Sequence, residues 1–539
     1  MTTERHNYDV VVLGAGVSGI YQIKRLTELD ISAVVLEADD DLGGTWYRNR
    51  YPGARFDSES YTYGYSFSQE LLDEWHWKER FSAQPENLRY LNHVADKFDL
   101  RQHMRFNSRV NTMTWDDEQR VWQLVLDDDS VYTTRFVITS LGPLSIPTLP
   151  SYEGMDDFEG DSFHTYWWPK EPVSLEGKRV GVIGTGATGI QVISDIADKV
   201  GSLTVFQRRP NWSTPLNNGP ISDAEMANIR GRYDEIFANC AKSPAGFEHM
   251  PDRRGFWNLT ADERRQFWDE LYAQPGFAIL SGNFAEIFLD EAANREMSEY
   301  IADRIRQRVN DPALAEKLIP TDHGFGLQRL PLETHYFEAY NRDNVNLVDL
   351  SETPIEHLTA HGIQTSDAHY DLDLIVYATG FNAITGAYDK INIHGVDGQA
   401  LGDKWAETTD TYYGVLTHGF PNMFMVAGPQ SVSGSTNFPR AIETGVDWIT
   451  DLLQHAISQN TTRIEASEQA EQEWVSEVRR AHEKLLFRRS KGWFTGYNSN
   501  IAGRSEGKVR YHAYFGGGPQ YSKAIRHAAE SGYTGLDIS

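Results

Sequence analysis

Short, nearly continuous apolar runs separated by glycine-rich turns occur twice along this chain. Tyr8 to Leu13 has the Val and Leu content expected of a parallel strand buried on both faces. It enters Gly14-Ala-Gly16-Val-Ser-Gly19, then a helical stretch from Ile20 to Leu29, then a second strand from Ala33 to Leu36. The same order returns as the strand Gly177 to Ile183, the turn Gly184-Thr-Gly186-Ala-Thr-Gly189 and the strand Thr204 to Phe206. From about Pro220 to Pro320 the period becomes helical, over Asp223 to Asn239, Thr260 to Ala273, Glu291 to Val309 and Pro312 to Leu318. Ile301, Ile305 and Val309 form an apolar ridge that reads as core. Asp373 to Phe381 is expected to return as a strand ending in Ala378-Thr379-Gly380.

Glycines at this spacing let the chain turn tightly, let backbone approach a pyrophosphate, and let the next helix pack close with its N-terminus toward the phosphate charge. Glu37 ends the second strand of the first unit, where a carboxylate meets a ribose hydroxyl. Superposing the two units on their first glycines puts Gln207 opposite Glu37, followed at once by Arg208 and Arg209. A carboxylate there would repel a 2′-phosphate, whereas guanidinium groups bind one through charge-assisted hydrogen bonds. The first unit (Gly14, Gly16, Gly19, Glu37) is therefore expected to hold FAD. The second (Gly184, Thr185, Gly186, Thr188, Gly189, Gln191, Arg208, Arg209) is expected to hold NADPH. The predicted fold class is α/β, with two Rossmann-like dinucleotide-binding domains and an inserted helical lobe. The expected boundaries are 1–145 and 381–539 for the FAD domain, 150–218 and 329–380 for the NADP domain, and 219–328 for the helical insertion.

Composition narrows the classes. A formal charge of −27 over 539 residues disfavours nucleic acid or an anionic membrane as partner, and 40% hydrophobic residues suffice for sizeable cores. Cys240 is the single cysteine, which excludes a disulfide, a Cys-x-x-Cys redox pair and a cysteine metal cluster, and no metal site is expected. The opening MTTERHNYDVVVLG does not read as a signal peptide, and no apolar run is long enough to span a bilayer. The expectation is a cytoplasmic enzyme with small-molecule substrates and no obligatory protein partner.

Two further motifs are more specific. Gly43-Gly44-Thr45-Trp46, with Tyr51-Pro52-Gly53 and Asp57, follows G-G-x-W-x-x-x-x-Y-P-G-x-x-x-D. Phe158, Gly160, His164, Trp168 and Pro169 follow F-x-G-x-x-x-H-x-x-x-W-P, which reads as an irregular joint between the nucleotide units rather than a strand. With these motifs the chain, from Tyr8 to about Asp537, resembles the type I Baeyer-Villiger monooxygenases, most closely the phenylacetone, cyclohexanone and steroid type.

The resemblance implies conversion of ketones to esters or lactones with NADPH and O2, through a C4a-peroxyflavin and a Criegee-type adduct. Arg329 is implied as the catalytic cation, Asp57 as its orienting partner, and His164 and Trp493 as groups coupling domain and loop movement to turnover. Gly44, Thr45, Trp46, Asp57, Tyr63 and Asn437 are implied around the flavin, and Gln328 and Trp493 beside the NADP. Relatives usually carry Lys-Arg where this chain has Gln328-Arg329, so a charge expected near the 2′-phosphate is missing. Substrate choice is implied to lie in loops, including Ser431 to Ser435 and the 490s. Oxygenation of amine or sulfide heteroatoms, and an uncoupled NADPH oxidase or redox-sensing flavoprotein, are the competing functions.

Overall fold

The computed structural model describes residues 5–431, 436–501, 503–504 and 509–539. From Val432 on, the expected specificity loop at Ser431 to Ser435 lies outside the described residues. Two sheets carry the chain. In the first, strand Arg5–Leu13 pairs in parallel with Ala33–Leu36 on one side and Val131–Thr139 on the other. Met104–Arg105 extends the first side. Antiparallel strands Val121–Leu126 and Val110–Asp116 extend the second, and Met423–Met425 and Asn392–His394 return from late in the chain to join it. The second sheet is wholly parallel, in the order Val345–Asp349, Ser202–Gln207, Arg179–Ile183, Leu374–Tyr377, Asp161–His164.

Each sheet contains a strand, a glycine turn and a helix, Val17–Glu28 in the first and Ala187–Ile196 in the second. The central strands read as unbroken apolar runs because they are buried on both faces: Val10, Val11, Val12, Val180 and Val182 expose nothing.

One expectation is overturned here. Asp161–His164, read as part of an irregular joint, is a strand paired in register with Leu374–Tyr377. It is an edge strand, bonded on one side only and exposed at Asp161 and Ser162, so it lacks the apolar signature of its neighbours. The predicted helix Asp223 to Asn239 is two, Asp223–Arg230 and Tyr233–Lys242, broken at Gly231-Arg232 where glycine is costly inside a helix. Thr260 caps the next helix, Ala261–Tyr272, with a reciprocal capping box to Glu263.

The helical segment has faces on both cores. Met226, Ile229, Tyr233, Ile236 and Cys240 pack into the core of the first sheet, whereas Trp268, Ile301, Ile305 and Val309 join that of the second. Burial among these side chains pushes the Cys240 thiol up to about 12. Among the described residues no helix is long and apolar enough to cross a membrane, and no cluster of His, Cys, Asp and Glu could hold a metal ion.

Candidate active site

The first glycine turn is shaped by close backbone contact. Gly14 has φ +99°, and a Cβ on Gly19 would stand 1.8 Å from the Gly14 carbonyl oxygen. The helix that follows starts at Gly16 with no side-chain cap and no acid in its first turn, as a helix start that binds an anion requires. Glu37 is buried, accepting hydrogen bonds from the backbone N–H of Ala15 (2.6 Å) and of Asp39 (2.8 Å). Burial raises its carboxyl above the usual range, opposed by those bonds.

The second fingerprint folds over this turn. The Gly44 backbone lies 3.6 Å from a Cβ built on Gly16, and the short helix Thr45–Arg48 carries Trp46 inward. The Trp46 indole N–H donates to the Tyr63 hydroxyl at 2.7 Å, and Arg48 pairs with Asp39. Asn437, fully buried ahead of helix Phe438–Ser458, donates to the Thr62 hydroxyl at 3.0 Å, while its Oδ1 has no partner among the described residues.

Tyr51-Pro52-Gly53 meets the second unit. The Tyr51 hydroxyl donates to Gln191 Oε1 at 2.8 Å, and Gln191 Nε2 donates to the Arg55 carbonyl at 2.9 Å. Both ends of the Gln191 amide are thus engaged with the first unit, and Thr188 also reaches the Tyr51 hydroxyl.

Arg329 and Asp57, 272 residues apart in sequence, form an ion pair at 2.8 Å. The guanidinium lies 4.9 Å over the Phe277 ring and also donates to the Leu330 carbonyl. Asp57 is buried and Arg329 about a quarter exposed. Burial pushes the Asp57 carboxyl up, and Arg329 pulls it back. The result is a fixed, partly desolvated cation held from beneath by a carboxylate and an aromatic face, with further N–H donors left over.

The second glycine turn opens on space. A Cβ on Gly184 would meet the Ala378 carbonyl at 2.5 Å, but one on Gly186 meets nothing within 4 Å. Gly184, Thr185 and Gly186 line a cavity of about 240 Å³ with Arg208, Arg209 and Gln328. The Thr185 hydroxyl donates to the Arg209 carbonyl at 3.0 Å, tying the turn to the arginine pair.

His164, 2% exposed, ends the edge strand. Its Nδ1 accepts the Tyr166 N–H (3.1 Å), which assigns the proton to Nε2 and a donated bond to the Gly380 carbonyl (3.2 Å). Burial pushes its pKa down to about 4, so the ring is neutral at ordinary pH. The same turn receives Asn498, donating to the Phe381 carbonyl at 2.9 Å, and Asn500, donating to the Thr379 carbonyl at 3.0 Å. Trp493 lies between them and Gln328 in sequence space, half-buried against Phe494 at 4.5 Å between ring centroids. Gln328 donates to the Lys491 carbonyl at 3.2 Å. Sequence reasoning missed Phe277 beneath Arg329 and the hook formed by Asn500; neither carries a local signature, since each acts on a residue remote in the chain, Asn500 across 121 positions.

The site thus combines one enclosed nucleotide cradle ending in a buried acid, one open cradle ending in an arginine pair, and a fixed cation. Fold and site together define a two-dinucleotide flavoprotein. A family profile described as "Flavin-binding monooxygenase-like" matches residues 7–218. The 2-oxo-Δ3-4,5,5-trimethylcyclopentenylacetyl-CoA monooxygenase of Pseudomonas putida is 42% identical over 98% of this chain and 98% of its own. The cyclohexanone 1,2-monooxygenase of an Acinetobacter species is 36% identical over 99% of this chain and 97% of its own. A solved structure of OTEMO in complex with FAD and NADP superposes with a TM-score of 0.95 at 42% identity, covering 99% of each chain. The chain belongs to the Baeyer-Villiger monooxygenases, enzymes dependent on FAD and NADP.

Both cofactors suit the residues present. The buried carboxylate of Glu37, the uncapped helix behind Gly16 and the unpartnered buried Asn437 Oδ1 suit FAD in the first cradle. The cavity at Gly184 to Gly186, with two guanidinium groups at its rim, suits NADP in the second.

Proposed function

We propose that this chain converts ketones into esters or lactones with NADPH and O2, using Arg329 as the fixed cation of the reaction. The observation that supports this reading is the Arg329–Asp57 pair, which holds a guanidinium against a buried carboxylate of the second fingerprint. FAD, when bound, supplies the redox and oxygen-carrying chemistry, and NADPH supplies the hydride. Gly14, Gly16, Gly19, Glu37, Gly44, Thr45, Trp46, Tyr63 and Asn437 hold the first cofactor. Gly184, Thr185, Gly186, Thr188, Gly189, Arg208, Arg209 and Gln328 hold the second. The division at 1–145 with 381–539, 150–218 with 329–380, and 219–328 follows from this assignment.

The chain's own part is positional and electrostatic. Arg329 offers the N–H donors of a guanidinium to negative charge developing on the ketone carbonyl oxygen. Asp57 fixes the direction of that guanidinium. Because the Asp57 carboxyl is buried, releasing Arg329 would strand it, so the pair moves little. His164 acts as a positioning residue, its neutral ring fastening the edge strand to the Gly380 turn. Trp493, on the segment that reaches the same turn through Asn498 and Asn500, covers the nucleotide and excludes water.

Replacing Arg329 by Ala tests this. The variant is expected to keep its flavin and to be bleached by NADPH, while ester formation falls by about a hundredfold to a thousandfold. Normal ester yield from a panel of linear, cyclic and aryl ketones would refute the role. Efficient N-oxide or S-oxide formation with little ester from the unaltered enzyme would favour heteroatom oxygenation instead.

A further inference from the structure

The cradle of the second unit does not end at the arginine pair. Beyond it lies a second cavity of about 420 Å³, which Arg208, Arg209, Arg489 and Lys491 share with one carboxylate, Asp322. Four cations around one hollow are unusual in a chain of net charge −27 and point to an anionic occupant.

The four are not equivalent. Arg209 is paired with Asp322 at 3.2 Å and lies 5.6 Å from the Tyr497 ring. Arg489 is paired with Glu291 on the neighbouring helix. Arg208 donates to the uncharged Ser499 hydroxyl at 2.5 Å, and crowding by protein and by Arg209 lowers its proton affinity. Lys491 forms no ion pair or side-chain hydrogen bond among the described residues. Arg208 and Lys491 are thus the two cations without a carboxylate, one just past the strand Ser202–Gln207 and one on the 490s segment.

The backbone beside Lys491 is fixed from below. Gln328 donates its amide to the Lys491 carbonyl, and Gly492 packs on the Gln328 side chain. Gln328 therefore serves as an uncharged anchor for a neighbouring charge.

We infer that Lys491 is a specificity-determining residue for the 2′-phosphate of the nicotinamide nucleotide, acting with Arg208 across this cavity. It supplies from the 490s segment the charge that Gln328 lacks. A 2′-phosphate bridging Lys491 and Arg208 draws the segment onto the cradle, whereas a nucleotide with a free 2′-hydroxyl leaves that bridge unmade. The inference rests on the reading that the second unit takes NADPH.

Binding to the oxidised, flavin-loaded protein tests it without turnover. Affinities for NADP+, NAD+, 2′,5′-ADP and 5′-ADP are measured by calorimetry on the unaltered protein, Lys491→Gln, Lys491→Gln with Gln328→Lys, and Arg208→Ala with Arg209→Ala. Lys491→Gln is expected to weaken NADP+ and 2′,5′-ADP about tenfold, as for loss of one charge-assisted contact, and to leave NAD+ and 5′-ADP unchanged. Adding Gln328→Lys should restore most of the loss. Hydrogen exchange of residues 490–499 should slow with NADP+ but not NAD+, and lose that difference in Lys491→Gln. An unchanged NADP+ to NAD+ ratio in Lys491→Gln overturns the inference if the double arginine variant still collapses the ratio. If the arginine variant leaves the ratio intact as well, the assignment of NADPH to this unit falls with it.

Discussion

The two nucleotide units share a plan and differ in two places. Each turn is locked the same way: the third glycine packs on the first, with a Cβ at 1.8 Å on Gly19 and 2.1 Å on Gly189. The middle glycine separates them, Gly16 being roofed by Gly44 while Gly186 faces open space. The end of the second strand separates them again, a buried carboxylate at Glu37 against Gln207 followed by two guanidinium groups. One backbone solution thus makes an enclosed cradle and an open one, which under the proposed assignment suit a retained FAD and an exchanging NADP. The electrostatic choice is left to three side chains.

The sharpest way to break this contrast is to block each turn in turn. Gly19→Ala forces a methyl against a carbonyl oxygen, and a core clash of this kind costs several kcal/mol, so the protein should emerge colourless or unfolded. Gly189→Ala meets a similar clash but should keep its yellow flavin while losing NADP+ binding. Loss of flavin from both variants alike would mean that the units do not serve separate nucleotides.

Next in size is the arginine pair. Arg208→Ala with Arg209→Ala should raise the KM for NADPH by about tenfold to a hundredfold, as expected for two lost charge-assisted contacts, and move that for NADH far less. Equal changes for both coenzymes would remove the phosphate argument.

Acid offers a subtler contrast. His164 has its folded pKa depressed from 6.5 to about 4, so the unfolded chain binds the extra proton first. Its contribution is intact above about pH 6.5 and is lost as pH falls toward 4, amounting to about 2 kcal/mol at pH 5. Glu37, raised rather than depressed, has the opposite sign: its folded form gains relative to the unfolded chain on acidification. Lowering pH from 7 to 5 should therefore weaken NADP+ binding and loosen the second sheet before flavin is released. His164→Gln should flatten the acid limb of the NADP+-bound melting midpoint, and an unaltered limb would sink the assignment.

Smallest of all, Gln191→Ala removes two hydrogen bonds between the units and should lower stability by about 1–3 kcal/mol while sparing coenzyme selectivity. A change in the NADPH to NADH ratio would support the expected place of Gln191 at the nucleotide as well.

How much of this could be read from sequence depended on how local each cause is. Glycine spacing, a following helix and a terminal acid all act within one βαβ unit, so strands such as Ala33–Leu36 were legible to the residue. The Asp161–His164 strand was not, because its only partner comes from residues 374–377 and its outer face is polar. Phe277 under Arg329 was equally hidden, being an unremarkable aromatic until the chain folds. The pairing of Arg329 with Asp57 was anticipated only through resemblance to a family; nothing in the intervening sequence announces it. The charge swap after the second strand was the exception, a chemical difference visible by laying one half of the chain on the other.

The Tyr51–Gln191 seam has a mechanical corollary. With Gly53 so near the Gln191 carbonyl that a methyl group would not fit, the lobes are stitched along that margin and have little freedom to part there. Breathing must then resemble a book bound at its spine. The 490s strap, by contrast, is held to Gln328 and to the Thr379 to Phe381 bend by single side-chain hydrogen bonds, so it is the seam that parts more easily.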